Sequence, residues 1–258
     1  MGSLLKPISS GRHVSFTRVA PFGAREYNRN DFRVKASIHE NFFSDRPAIP
    51  ESRSPGAHHN LPLTNAKSIN VIDDLVPKSL RNSLNRLVRA PIWRHGKASN
   101  RRQKFPFWFA YGAGGGGKSK RSCIVQLSSN KTFTPVFELW KRLVRGPLRM
   151  HEPLRVYANA HTYGVEGAVH RDSLDRKNYW TTVYFAHSKW KISWGGELVF
   201  YDDIENEIIR AVYPRPGRLV IFPGALRHCA RGLSRECPDL RVSIVIKSQR
   251  AEGSREMR

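Results

Sequence analysis

The second half of the chain constrains the fold most. After Pro153, six short runs rich in β-branched and aromatic residues recur at near-even spacing, over residues 155–158, 179–185, 197–201, 208–213, 218–222 and 240–247. Turn residues separate them: Gly164, Gly167, Gly195-Gly196, Pro214-Arg215-Pro216-Gly217 and Pro223-Gly224. Short strands punctuated in this way predict a β-sandwich or barrel. Two helices are expected ahead of them. The first begins at Pro77, with Asp73 and Asp74 at the positive end of its dipole, and carries Leu80, Leu84, Leu87 and Val88 on one face. The second begins at Thr134-Pro135, carries Phe137, Trp140, Leu143 and Val144, and ends at Gly146-Pro147. The fold class is therefore α+β, mainly β, with helices on one face of a rolled sheet.

At 258 residues the chain holds one domain plus an extension. Residues 1–67 show no sustained period of 3.6 or 2, and Pro47, Pro50, Pro55 and Pro62 interrupt them. They read as a disordered basic leader, either an organelle transit peptide or a plain unstructured extension. The expected catalytic domain covers residues 68–250, and 251–258 form a flexible tail. All chemical candidates lie beyond residue 150, so the leader is expected to be dispensable for chemistry. Three cysteines without a CxxC pair exclude a disulfide framework and favour a reducing, intracellular compartment, cytoplasmic or organellar. No apolar stretch approaches the roughly 18 residues of a membrane span. The formal charge is +23, and residues 75–137 contain thirteen Lys or Arg and no acid. Such a field attracts nucleic acid, an acidic protein or an anionic surface, or simply solvates one face.

The chemistry concentrates in His170-Arg171-Asp172, then His228, then Arg241-Val242-Ser243. Side chains alternate along a strand, so His170 and Asp172 share a face. A second histidine from a later strand completes two imidazoles and one carboxylate. That facial set suits non-haem Fe(II), because it leaves coordination positions open for a co-substrate and oxygen. Arg241 and Ser243 also share a face, opposite Val242, Ile244 and Ile246, and form a clamp for a carboxylate. Each residue is unremarkable alone; the ordered set is specific.

From about residue 69 to 248 the sequence resembles the 2-oxoglutarate- and Fe(II)-dependent oxygenases, in particular their prolyl 4-hydroxylase-like branch. The resemblance rests on Tyr157-Ala-Asn-Ala-His-Thr-Tyr163-Gly164, His170-Arg-Asp172-Ser173, Trp194-Gly-Gly-Glu197-Leu, Pro214-Arg-Pro-Gly-Arg-Leu-Val-Ile-Phe222, His228 and Arg241-Val-Ser243. It implies a double-stranded β-helix, or jelly roll, and Fe(2+) held by His170, Asp172 and His228. It implies that Arg241 pairs the distal carboxylate of 2-oxoglutarate with help from Ser243. Tyr163 would line the co-substrate pocket, with Asn159 and Tyr157 as neighbours. The implied reaction consumes O2, decarboxylates 2-oxoglutarate to succinate and hydroxylates an unactivated C–H bond of a peptidyl or small-molecule substrate, which the basic charge would allow to be anionic. Ascorbate (vitamin C) is the accompanying reductant. Two departures stand out. Residues 231–239 lengthen the gap between His228 and Arg241, and Phe185 replaces a co-substrate tyrosine of the animal prolyl hydroxylases.

Two other readings compete. Nucleic-acid demethylases of the same superfamily share Asn159 with Tyr163-Gly164 ahead of the HxD, but place a second arginine where Lys247 stands. Nucleic acid is therefore a weaker partner than the hydroxylase substrates, and nothing fixes the oligomeric state. Gly112-Ala-Gly-Gly-Gly-Gly117-Lys118-Ser119 fits a phosphate-binding P-loop letter for letter. The motif needs a buried strand before it and a helix after it. Pro106 argues against the first, and residues 120–127 read as a strand or loop, so ATP binding is not expected.

Overall fold

The computed structural model describes residues 68–99, 105–115, 121–204 and 207–251. The expected leader, most of the tail and residues 116–119 of the glycine run lie outside the described residues. The elements follow the order β1 (Asn70–Ile72), α1 (Lys78–Arg89), β2 (Arg94–Lys97), β3 (Phe107–Ala113), α2 (Cys123–Ser129), α3 (Thr134–Arg145) and β4 (His151–His161). There follow β5 (Tyr179–Phe185), β6 (Leu198–Tyr201), β7 (Ile208–Val212), β8 (Leu219–Pro223), β9 (Arg227–Ala230) and β10 (Arg241–Arg250).

The strands form two antiparallel sheets, a seven-stranded one ordered β1-β8-β5-β10-β4-β3-β2 and a three-stranded one ordered β7-β6-β9. Their facing sides share one core. Val183, Phe185, Val220, Phe222 and Val245 of the large sheet pack with Leu198, Phe200 and Val212 of the small one. This is the expected jelly roll. The other face of the large sheet carries Val156, Ala158, Ala160, Val242, Ile244 and Ile246, and the helices close over it with Leu84, Leu87, Val136, Leu139, Trp140 and Leu143. The strict alternation along β10 thus divides the molecule into an outer helix-packed core and an inner barrel.

Several local expectations are corrected. Pro77 caps α1 without side-chain help, and no acid sits in its first turn. Asp73 instead turns away to Arg218 at 2.7 Å and 3.0 Å and to Arg215 at 3.1 Å. That bond ties the chain before α1 to the turn before β8, a pairing stronger than a dipole contact. The N-cap of α3 is Phe133, and Thr134 begins the helix itself while donating its hydroxyl to the Lys131 carbonyl. The buried stripe of α3 runs through Val136 and Leu139, with Phe137 and Val144 only partly buried. Strand β4 starts at His151, ahead of Pro153, because a register shift between Lys247 and Ser248 of β10 accommodates the proline.

The glycine run also differs from expectation on both sides. Pro106 immediately precedes β3, which pairs with both β2 and β4, and α2 occupies most of residues 120–127. The strand lies in a wholly antiparallel arrangement, however, and lacks the parallel neighbours that open a nucleotide crevice at a strand end.

Candidate metal centre and co-substrate pocket

His170 follows β4 and a loop, and joins the small sheet through reciprocal backbone bonds with His228 of β9, N–H to carbonyl, at 3.0 Å and 2.9 Å. Two residues on, the Asp172 and Ser173 N–H groups donate to the Gly224 carbonyl at 2.8 Å and 3.2 Å. A side chain at Gly224 would strike the Tyr179 ring, so only glycine lets this loop close on the HxD segment. Ligand atoms of His170, Asp172 and His228 consequently all lie within 4.8 Å of one another. His170 Nε2 is 3.4 Å from Asp172 Oδ1, and His228 Nε2 is 3.5 Å from Asp172 Oδ2.

The surroundings select the ligating atoms. Nδ1 of His170 lies 2.8 Å from the Ala168 carbonyl, and Nδ1 of His228 lies 2.9 Å from the Leu226 carbonyl. A carbonyl only accepts, so each Nδ1 carries the proton and each Nε2 presents its lone pair to the shared centre. Burial pushes the His228 imidazole down to about 3, against the pull of the Asp172 carboxylate. Burial raises the Asp172 carboxyl, but Lys247, His228 and His170 together hold it well below its ordinary range. A neutral His228 imidazole beside a carboxylate is the protonation state a divalent metal requires.

Asp172 also shows a division of labour. Its Oδ2 accepts from the Thr181 hydroxyl at 2.6 Å and is in contact with the Lys247 ammonium, which in turn lies 3.3 Å from the Thr181 oxygen. Lys247 is 6% exposed, and its charge is balanced inside the barrel by Asp172. With Oδ2 engaged twice, Oδ1 is the oxygen left for one-point ligation.

The opposite end of the same β10 face holds Arg241, 2% exposed, whose Nε donates to the Gly196 carbonyl at 2.5 Å. Gly196, at φ +79°, has no room for a side chain between Leu233 and Arg241. Burial pushes the guanidinium down to about 10, opposed by Glu197. The inserted residues 231–239 do not displace Arg241. Leu233 and Cys237 pack with Trp194 and Trp190 into a small separate core beside it. Register pairs Arg241 with His161, and Ser243 with both Asn159 and Phe185, so these side chains share the inner face. Burial drives His161 to about 3 and His187 to about 4, with Arg241 lowering both further.

Sequence reasoning missed Lys247, Thr181, His161 and His187 as members of this interior. The signal for Lys247 was present: it is four residues beyond Ser243, on the same face of the strand. His161 likewise lies two residues beyond Asn159. Tyr157 occupies the inner face, with the Lys97 ammonium 3.3 Å from its ring centroid. Tyr163 is not enclosed as expected. Strand β4 has ended by then, and the residue is 54% exposed with Arg235 over its ring at 5.9 Å. Phe185, expected to lack the tyrosine contact, faces Arg241, whose guanidinium lies 5.2 Å from its ring centroid in a cation–π contact. All three cysteines are free and buried.

The family model of the 2OG-Fe(II) oxygenase superfamily matches residues 157–246, which span both ends of this interior. Over this stretch, which is less than half of the chain, the sequence is similar to that superfamily. Members use Fe(2+), 2-oxoglutarate and O2. An oxidoreductase of the 2OG-Fe(II) oxygenase family from Burkholderia pseudomallei is similar in fold, with a TM-score of 0.51, 14% identity, and coverage of 72% of this chain and 86% of that one. A prolyl hydroxylase from Trichoplax adhaerens, solved with a hypoxia-inducible-factor peptide, gives 0.48, 19%, 72% and 84% by the same measures. A Pseudomonas putida prolyl-4-hydroxylase gives 0.48, 16%, 72% and 94%. No curated protein sequence matches the chain. No helix among the described residues is long and apolar enough to cross a membrane.

Proposed function

We propose that the chain hydroxylates an unactivated C–H bond of an organic acceptor, coupled to oxidative decarboxylation of 2-oxoglutarate to succinate. The observation that carries this reading is the pairing of two sites in one barrel. His170, Asp172 and His228 converge at one end, and a buried arginine held by the Gly196 carbonyl sits at the other. The residues fit the co-substrate as well as the metal. The side-chain oxygen of Asn159 and both ring nitrogens of His161 are buried without a hydrogen-bond partner. Buried polar atoms of that kind call for a ligand or water.

Iron, when bound, supplies oxygen activation and the redox change that protein side chains cannot. His170 and His228 would hold it through Nε2 and Asp172 through Oδ1. Arg241 would pair the distal carboxylate of 2-oxoglutarate, with Ser243 donating its hydroxyl and His161 and Asn159 completing the polar lining. Tyr157 borders this lining, and Tyr163 stands at the rim. Phe185, Phe200 and Phe222 keep the space between the two ends dry, which strengthens the charge pairing. Lys247 balances Asp172 and keeps its second oxygen occupied. Ascorbate would serve to keep the iron ferrous. The catalytic domain would be residues 68–250, with the 1–67 leader acting as an address or extension.

The test is succinate formation from 2-oxoglutarate by the iron-loaded full chain. Wild type should form succinate, and Asp172→Ala and Arg241→Ala should not at modest 2-oxoglutarate. Succinate formation unaffected by either substitution overturns the assignment.

A further inference from the structure

The barrel interior holds a second cation that the metal centre and the clamp leave unused. Arg155 lies on the inner face of β4, two residues before Tyr157. Register sets it directly opposite Lys247 of β10, and sets Lys247 opposite Thr181 of β5. His161, at the other end of the same face of β4, is the residue that pairs with Arg241. Arg155 therefore belongs to the iron end and not to the clamp.

Like charges opposite each other on neighbouring strands are destabilising, and an anion between them removes the penalty. Asp172 supplies one negative charge, and its Oδ2 is already engaged by Lys247 and Thr181. Arg155 is half-buried and makes no ion pair or side-chain hydrogen bond among the described residues. Tyr179 stands beside it. The Tyr179 ring packs on Gly224, where an added Cβ would strike it and would lie 3.5 Å from the Asp172 Cβ. Burial raises the Tyr179 hydroxyl; Lys247 and Arg155 lower it, and Asp172 and Tyr157 raise it further, so these groups share one space. That hydroxyl makes no hydrogen bond among the described residues. Burial pushes the Cys123 thiol, at the start of α2, up to about 11, opposed by Arg155. The guanidinium thus stands at the mouth of the barrel, between α2 and Tyr179. The chain leaving β3 passes this strand end as Gly114 and Gly115, where a side chain would strike the Leu154 carbonyl or the Tyr111 ring.

The mouth therefore presents a guanidinium fork and a phenol hydroxyl, both donors, next to the metal ligands. The fork matches a carboxylate in plane and in charge. A neutral acceptor would leave the half-buried charge uncompensated. We infer that the acceptor carries a carboxylate, that Arg155 pairs with it while Tyr179 donates to it, and that this anchor sets which C–H faces the iron end. The inference rests on the oxygenase reading above for its chemistry, but not for its binding.

Binding is measured by calorimetry on the metal-free full chain, so that no carboxylate is held by a metal instead. The probes are butyrate, benzoate and N-acetylleucine, each beside its primary amide, with inorganic phosphate as the competing anion. N-acetylaspartate methylamide presents the same group from a peptide side chain, and whichever carboxylate binds tighter names the source. Wild type should bind at least one acid about tenfold more tightly than its amide, the scale of a hydrogen bond to a charged group. Arg155→Met should abolish that preference, and Arg155→Lys should recover part of it, which separates loss of the charge from loss of folding. Tyr179→Phe keeps the ring on Gly224 and should show a smaller loss. Arg241→Met should leave acid binding as in wild type, which separates this site from the clamp. Equal binding of every acid and its amide overturns the inference, as does an acid preference that survives Arg155→Met or is lost in Arg241→Met, or tighter binding of phosphate than of every carboxylate. Succinate formation by the iron-loaded wild type is followed in parallel. Its absence would count against the oxygenase reading while leaving the binding result intact.

Discussion

The two ends of the barrel interior are built on opposite principles. At the iron end, Asp172 is surrounded by partners from its own chain: Thr181, Lys247 and the two imidazoles. At the arginine end, the chain supplies Arg241 one backbone carbonyl and leaves His161 and Asn159 with unpartnered atoms. A buried carboxylate without countercharge would cost several kcal/mol, so the iron end must be balanced before any metal arrives. The arginine end is instead left unsaturated, and a dicarboxylate would complete it. One end is thus preorganised and the other is poised to be stabilised by its ligand.

The largest expected effect breaks the iron end. Asp172→Ala removes the sole carboxylate and leaves Lys247 buried without its countercharge. Anaerobic Fe(II) titration should show affinity reduced by more than about a hundredfold, and thermal unfolding should move down as well. Lys247→Met tests the balance from the other side. It should weaken metal retention about tenfold or more, the usual scale for a residue that supports a ligand, while leaving 2-oxoglutarate affinity little changed. Equilibrium dialysis with Mn(II) reads the first quantity and calorimetry the second.

The arginine end should respond in the reverse pattern. Arg241→Met should raise the half-saturating 2-oxoglutarate concentration by about tenfold to a hundredfold, the equivalent of about 1.5–3 kcal/mol for a charged hydrogen bond, with Fe(II) affinity unchanged. The unsaturated end should also govern acid stability. His161 and His187 are driven from the ordinary 6.5 to about 3 and about 4 by burial. Below pH 6.5 the unfolded chain takes up protons that the folded chain refuses. Stability is therefore full above pH 6.5 and falls as pH drops toward 4, by about 1.4 kcal/mol per histidine per pH unit. Urea unfolding across that window should show the loss, and His187→Gln should flatten it. The smallest effect is expected for removal of residues 1–67: a chain beginning near Ala66 should form succinate at close to the full-length rate.

How much of this was legible differs between the same two regions. The convergence of His170, Asp172 and His228 could be read directly, because His170 and Asp172 obey the period of 2 and His228 follows in a later strand. The shared inner face of Arg241 and Ser243 could be read too, since they alternate with Val242 and Ile244. Lys247 obeyed the same period, yet a lysine in a charge-rich sequence does not announce that it is buried. His161 was hidden for the opposite reason, because its ring nitrogens find no partner in the fold, and His187 because its partner, the Pro214 carbonyl, lies 27 residues away. Strands β2 and β3 and helix α2 escaped notice because basic residues, Pro106 and a glycine run dilute their apolar pattern. Asp73 was assigned to a helix end because Arg218, its partner in space, lies 145 residues away in sequence.

The central claim is that one molecule of 2-oxoglutarate bridges the two ends. Calorimetric titration of 2-oxoglutarate under anaerobic conditions, into the chain with and without Fe(II) and into Arg241→Met with Fe(II), tests it directly. Tight binding should require both the metal and Arg241, with each loss weakening it by at least about tenfold. Equal binding to the metal-free and Fe(II)-loaded chain, or to wild type and Arg241→Met, would contradict the account.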